Sequence, residues 1–280
     1  MQTDPDLQRR LQPRQGNRGA RRALGGAVVG LGLLAAKFKT LLALALSFKW
    51  LFLGGKLLLS FGSMFVSIAL YAGLFGGWKI GIVFVLMILV HELGHFLTWR
   101  SFGVAARLPV FIPGLGAFVS APGGGGTPAQ NVTATIAGPL FGVGAAAACW
   151  LYGLKTGQHF WYGAAYIGFF LNFFNLMPLP IVDGGKIAEA IDARLWFLGI
   201  PLFLAWMFFA HFSAFSLIFL VLIAFYAVPR LTAVWKGRID PRGSGLTPMQ
   251  RWTTAIAYFA LALIAIGGAY ATQLTPHVHA

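Results

Sequence analysis

Three residues of the segment HELGH (residues 91–95) have the types and the spacing for metal-assisted hydrolysis. The segment lies near the end of an unbroken apolar run, residues 80–99, which predicts a helix. Residues four apart share one face of a helix, so His91 and His95 can each direct a ring nitrogen at one zinc ion. Glu92 is then placed to take a proton from water at that ion. The competing interpretation, structural histidines beside a buried glutamate, is disfavoured because three ionisable groups in a membrane-length apolar segment are costly.

A catalytic zinc site needs a third protein ligand and an open position. Asp183 is the candidate, because its segment NLMPLPIVDGG (residues 175–185) is predicted to return to the depth and side at which HELGH lies. Two prolines break the preceding helix, and Gly184 and Gly185 permit an unusual backbone just after the carboxylate. The alternative is that Asp183 only caps the helix that begins at one of these glycines. Four nearby charged residues are predicted to form the solvated face of a cytoplasmic helix: Lys186, Glu189, Asp192 and Arg194.

The composition is that of a polytopic membrane protein. Of the 280 residues 58% are hydrophobic and 10% are charged, whereas a soluble domain carries about 25% charged residues. Lys and Arg outnumber Asp and Glu by 21 to 7, but they lie between apolar runs, where they orient a membrane protein. They form no basic-aromatic module, so we predict a lipid bilayer and no nucleic acid as partner. The single cysteine, Cys149, excludes an intrachain disulfide and a Cys-rich metal site.

The apolar runs predict an all-α fold with six or seven transmembrane helices. Residues 1–22 are expected to be a disordered basic cytoplasmic tail. Residues 23–56 are expected to form one or two amphipathic interfacial helices with snorkelling lysines, with a short membrane hairpin as the alternative. The predicted spans are Leu57–Phe75, Ile80–Trp99, Asn131–Tyr152, Phe160–Met177, a helical hairpin over Leu195–Val228 that turns near His211, and Trp252–Ala271. A basic loop, 229–251, precedes the last span, and a short tail, 272–280, follows it.

Residues 108–122 are apolar but too short and too rich in Pro and Gly for a spanning helix. Val110–Ile112 and Ala117–Ser120 are predicted to pair as short strands at membrane depth, where protein or a cavity must cover them. The layout puts all but Lys79 and Lys155 of the 21 Lys and Arg on the cytoplasmic side. This bias predicts a cytoplasmic N-terminus, an outer C-terminus and a site in the cytoplasmic leaflet.

HELGH in one predicted transmembrane helix, followed by NLMPLPIVDGG at the end of a later one, resembles the paired motifs of the site-2 protease family of intramembrane zinc metalloproteases. FIPGLGAFV and AGPL also match, in the expected order between them. The resemblance covers roughly residues 57–195. It implies a three-helix metalloprotease core made of 57–75, 80–99 and 160–177 with Asp183, and residues 196–271 then add further transmembrane helices.

By position, the resemblance implies that His91, His95 and Asp183 ligate Zn²⁺ and that Glu92 is the general base. It also implies that Asn175 helps to hold the substrate or the oxyanion. The implied activity is that of a zinc-dependent metalloendopeptidase, which cleaves membrane-protein substrates within or near a transmembrane segment. A bacterial cytoplasmic membrane is the expected location. The chain resembles a minimal member of the family, without a soluble regulatory domain.

The same resemblance implies that the strands within residues 110–120 receive an unwound segment of the substrate, with Gly116, Ala117 and Phe118 as the candidate binding residues. A transmembrane helix has its carbonyls hydrogen-bonded internally, so a substrate must unwind locally before cleavage. Pairing of the unwound segment with these strands would satisfy the freed backbone groups.

Two other functions remain open at the level of the sequence. A zinc-binding membrane protein without hydrolytic activity, such as a metal carrier, would have polar or acidic residues along several spans, whereas the polar cluster here is confined to one depth. A catalytically idle homologue that acts as a scaffold is disfavoured by the intact Glu92.

Overall fold

A computed structural model of the chain describes residues 56–123, 125–209, 214–238 and 240–278. The basic tail predicted over 1–22, the interfacial helices predicted over 23–56 (except Lys56) and the turn predicted near His211 lie outside the described residues. Within this part the fold is mostly helical and contains a two-stranded sheet, which confirms the predicted class of secondary structure.

Helices α1 (Lys56–Phe75) and α2 (Trp78–Ser101) pack against each other and contain the first two predicted spans. The turn between them needs a left-handed backbone, which Gly76 supplies with a φ of 78°. Gly81 allows close approach of the two helices, because a Cβ there would lie 2.6 Å from the backbone nitrogen of Ala72. The turn therefore places α2, with HELGH in its second half, directly against α1.

The sheet is an antiparallel hairpin of β1 (Val110–Ile112) and β2 (Gly116–Phe118). The second strand was predicted one residue too late, over Ala117–Ser120. It begins earlier because Gly116, with a φ of 106°, already pairs with Ile112 across the turn. The ladder ends at Phe118, although the backbone N–H of Arg107 still donates to the carbonyl of Ser120 at 2.9 Å.

Helices α3 (Pro128–Thr156) and α4 (His159–Asn175) follow the hairpin and contain most of the next two predicted spans. A capping box begins α3, in which the Thr127 and Gln130 side chains bind each other's backbone N–H groups. Because α2 packs against α1, α3 and α4, the helix that carries HELGH lies in the middle of the bundle.

Beyond α4 the chain passes through two prolines into the short helix α5 (Asp183–Asp192), a 3-10 turn, and then α6 (Trp196–Phe209) and α7 (Ala214–Trp235). The sequence predicted a basic loop from residue 229 onward, and this boundary was wrong. Helix α7 continues for two more turns because Leu231 and its neighbours remain buried in the apolar cluster that α6 and α7 share.

The last helix, α8 (Pro248–Val278), also extends past its predicted end at Ala271. No glycine or proline occurs between Ala271 and Pro276 to stop it, and the helix also continues through Pro276 to Val278. Residues 272–278, which the sequence placed in a tail, are therefore helical.

Three helices in the described ranges are long and apolar enough to cross a membrane: Trp78–Ser101, Pro128–Thr156 and Pro248–Leu274. Ser60–Phe75 and Ile223–Trp235 are shorter apolar helices. The count of six or seven spans stays a prediction.

Candidate metal centre

Three predicted site residues meet at one point, although they come from two distant parts of the chain. His91 and His95 lie one turn apart on α2, and Asp183 is the first residue of α5. Asp183 Oδ2 is 2.9 Å from Nε2 of His91 and 2.9 Å from Nε2 of His95, and the two nitrogens are 3.1 Å apart. All three side chains are buried. The expected proximity is thus present, while the role of these residues as ligands remains a prediction.

The chemistry and spacing of these three atoms fit a zinc ion. In a tetrahedral site with bonds of about 2.1 Å, neighbouring ligand atoms lie roughly 3.4 Å apart, close to the triangle of 2.9, 2.9 and 3.1 Å. Two imidazoles and one carboxylate form a donor set that zinc enzymes use, and it leaves a fourth position for water or substrate.

Both histidines are oriented by a second hydrogen bond. His91 Nδ1 donates to Asn172 Oδ1 at 2.8 Å, and His95 Nδ1 donates to the carbonyl oxygen of Ala134 at 2.8 Å. The Asn172 amide is itself fixed, since its Nδ2 donates to the carbonyl of Gly168 at 2.7 Å. With the Nδ1 atoms protonated, the Nε2 atom of each neutral imidazole has a lone pair that can bind a cation next to Asp183.

The sequence analysis missed Asn172 and Ala134. A signal for Asn172 was present, because an amide within the predicted span Phe160–Met177 must find a polar partner. Ala134 contributes only its backbone carbonyl. Every residue has such a group, so the sequence alone cannot predict this contact.

Glycines on α2 and α3 bring the two helices close enough for this arrangement. A Cβ at Gly94 would collide with the backbone of Ala137. On α3, Gly138 and Gly142 lie four residues apart on one face, where a Cβ would collide with the His95 ring and the Asn172 amide respectively. The two α3 glycines therefore form the surface on which the His95 and Asn172 side chains rest.

The Asp183 carboxylate is held on its other side by Lys186, whose Nζ lies 3.1 Å from Oδ1. The ammonium group of Lys186 therefore compensates part of the negative charge of the buried carboxylate. Lys186 was predicted to lie on a solvated face. Its side chain is indeed 61% exposed, yet its ammonium group reaches the candidate centre.

The alternative role of Asp183, as a helix cap, does not describe its side chain. The N-cap of α5 is Val182, and Asp183 is the first helical residue, with its carboxylate directed at the histidines. The next two positions, Gly184 and Gly185, need glycine, because a Cβ at either one would collide with the backbone of the turn 176–180.

Hydrogen bonds from α8 and from Trp196 at the start of α6 hold the segment that carries Asp183. Tyr258 on α8 donates its hydroxyl to the carbonyl of Leu176 at 2.6 Å, just before the turn into α5. Trp196 Nε1 donates to the carbonyl of Gly185 at 2.8 Å.

At the other end of α5, the Arg251 guanidinium donates to the carbonyls of Ala190 and Ile191, a common way to satisfy a helix C-terminus. Helix α8 thus helps to set the position of Asp183.

A cavity of about 480 Å³ opens onto the three candidate ligands. Glu92 is 7% exposed and lines this cavity. The predicted substrate-binding residues Asn175, Ala117 and Phe118 also line it, whereas Gly116 lies in β2 but outside the lining. The structure therefore groups the candidate base, the candidate ligands and most of the predicted substrate residues around one space.

One comparison with known proteins bears on this site. The family model of Peptidase family M50, the site-2 protease family, matches residues 154–196, which contain α4, Asn175 and Asp183. This match confirms the resemblance to the site-2 protease family and supports a site-2 protease-like metalloprotease. Together with the three long apolar helices, it indicates an integral membrane protein. No curated protein matches the chain.

Proposed function

We propose that this protein is an intramembrane zinc metalloprotease that hydrolyses peptide bonds within or near transmembrane segments of other membrane proteins. The observation that carries the proposal is the position of Asp183 Oδ2, 2.9 Å from Nε2 of both His91 and His95. Lys186 binds the other carboxylate oxygen, but the two Nε2 atoms and Asp183 Oδ2 lie within 3.1 Å of one another as acceptors. A divalent cation between them would turn this repulsion into coordination.

In this proposal His91, His95 and Asp183 hold the ion. A zinc ion bound there supplies Lewis-acid chemistry, because it lowers the pKa of water and polarises a carbonyl. Glu92 accepts the proton of the attacking water and returns it to the leaving amine. Glu92 is largely buried but lines the cavity, so its carboxylate can reach a water molecule there.

The substrate is a polypeptide in extended form. Ala117 and Phe118 line the cavity from β2, so an unwound segment that pairs with this strand would pass beside Glu92. The side chain of Asn175 also lines the cavity, where its amide can donate to the carbonyl oxygen as negative charge develops on it. Its Nδ2 donates one hydrogen to the carbonyl of Leu171 at 3.2 Å, and its second hydrogen can bind the substrate.

The proposed setting is the cytoplasmic membrane of a bacterium, with the site in the inner leaflet and the C-terminus outside, as the distribution of Lys and Arg favours. A reporter enzyme fused after residue 280 should be active only outside the cytoplasm. Activity inside would contradict this orientation without touching the catalytic proposal.

The catalytic proposal is tested with purified protein in detergent and a single-span membrane protein as substrate. Glu92→Gln should retain zinc and lose cleavage, whereas Glu189→Gln, the same change at an exposed glutamate of α5, should cleave like the wild type. Zinc-dependent cleavage that persists in Glu92→Gln would exclude the general-base role. If the wild type cleaves no substrate but binds zinc, the metal-carrier alternative is favoured.

A further inference from the structure

Helix α1 carries three buried serines on one side, at positions 60, 63 and 67. They are 8%, 0% and 0% exposed. A buried hydroxyl in an apolar helix usually bonds to a carbonyl of its own helix. Two of these three serines, Ser60 and Ser63, also bind backbone groups of the segment that contains β1, and the packing of α1 alone does not require these contacts.

The contacts lie along the outer edge of β1. Ser60 Oγ donates to the carbonyl of Pro109, and the backbone N–H of Phe111 donates to Ser63 Oγ at 3.1 Å. Ser63 Oγ also donates to the carbonyl of Ser60 at 3.0 Å. The two hydroxyls thus take the place of a third strand at this edge, in an environment where an unpaired backbone group would be costly.

This anchoring determines which edge of the hairpin remains open. Phe111 lies opposite Ala117 in the register, and its N–H points away from β2 toward Ser63. In an antiparallel ladder, two residues opposite each other both point their N–H and C=O groups either inward or outward. Ala117 therefore directs its backbone groups to the free edge of β2, and Ala117 lines the cavity that contains Glu92.

We propose that Ser60 and Ser63 are positioning residues for substrate binding. They hold β1 against α1. The free edge of β2 at Ala117 then faces the cavity, where an extended polypeptide can pair with it. This inference rests on the proposed proteolytic function. The serines act through the hairpin, so they affect how the substrate binds and leave the candidate ligands and Glu92 unchanged.

Ser67 provides a matched control on the same helix. It is as deeply buried as Ser63, but its Oγ has no hydrogen-bond partner among the residues that the structure describes. If burial of a hydroxyl in α1 were all that mattered, Ser63→Ala and Ser67→Ala would behave alike. If anchoring matters, only changes at Ser60 and Ser63 should affect the hairpin.

The experiment compares the wild type, Ser60→Ala/Ser63→Ala and Ser67→Ala in three measurements: zinc content, kcat and KM for a transmembrane substrate, and hydrogen exchange of residues 108–120. We expect the double variant to raise KM about tenfold, the effect of losing two hydrogen bonds, with kcat within about twofold and zinc unchanged. The Phe111 amide should exchange faster. Ser67→Ala should match the wild type in all three.

An unchanged KM in the double variant, an equal rise in Ser67→Ala, or a loss of zinc or of kcat in the double variant would each overturn the inference. The failure of the proposed function looks different, since the wild type would then show no Glu92-dependent cleavage. In that case the exchange of the Phe111 amide still decides the anchoring, and a rate unchanged by the double substitution would refute it.

Discussion

The side-chain oxygen of Asn172 lies 2.8 Å from Nδ1 of His91, although the two residues are 81 positions apart. This hydrogen bond selects the tautomer with the proton on Nδ1, and it orients the ring so that the unprotonated Nε2 lies 2.9 Å from Asp183 Oδ2. A candidate ligand on α2 is therefore oriented by a residue from the last turn of α4, and the packing of these two helices becomes part of the site.

Replacement of Asn172 by Ala should weaken zinc binding about 10- to 100-fold, the usual cost of losing the partner that orients a metal-bound histidine. Asn172→Asp keeps an acceptor oxygen at the same place and should retain more of the affinity than Asn172→Ala. Competition with a chelator measures both values. Equal zinc affinity in the wild type and Asn172→Ala would show that His91 needs no such partner.

The glycines of α3 lead to a second prediction, based on two substitutions of the same kind. Gly138→Ala should destabilise the protein by about 1–3 kcal/mol and lower its zinc content, because the new methyl group would collide with the His95 ring. Gly144→Ala, on the same helix, adds its methyl group where no atom lies within 4 Å, and it should have neither effect. Thermal unfolding and metal analysis check both variants, and similar behaviour of the two would contradict the proposed packing.

The open edge of β2 gives a third prediction. Ala117→Pro removes the backbone N–H that would bind an extended substrate, so kcat/KM should fall at least about tenfold while zinc content stays the same. Ala117→Val keeps the N–H and favours a strand, and it serves as the control. Unimpaired cleavage by Ala117→Pro would exclude docking at this edge.

The sequence predicted the centre of the site because chain geometry leaves little choice there. Residues four apart on a helix share a face, which sets His91 and His95 side by side. The prolines and glycines around Asp183 predicted a break in the helix at the depth of HELGH, and the structure has the break at that place. The helices that contain these residues were also predicted, to within a few residues at most ends.

What the sequence did not predict depends on contacts between distant segments. Asn172 and the carbonyl of Ala134 become partners of the histidines only when α3 and α4 pack against α2. Lys186 fits the pattern of a solvated face, and only the first turn of α5 brings its ammonium group to Asp183. The observed ends of β2, α7 and α8 also differ from the predicted ones. Contacts with other segments help to set these ends, and the residues around each end do not show such contacts.

The zinc content of Asp183→Ala tests the central claim most directly, since this residue joins the two halves of the candidate site. After dialysis against limiting zinc, the wild type and Asp240→Ala, an exposed control, should each retain about one zinc ion per chain. Asp183→Ala should retain much less, because a zinc site with only two histidine ligands binds weakly. Stoichiometric zinc in Asp183→Ala, held as tightly as in the wild type, would contradict the proposed metal centre.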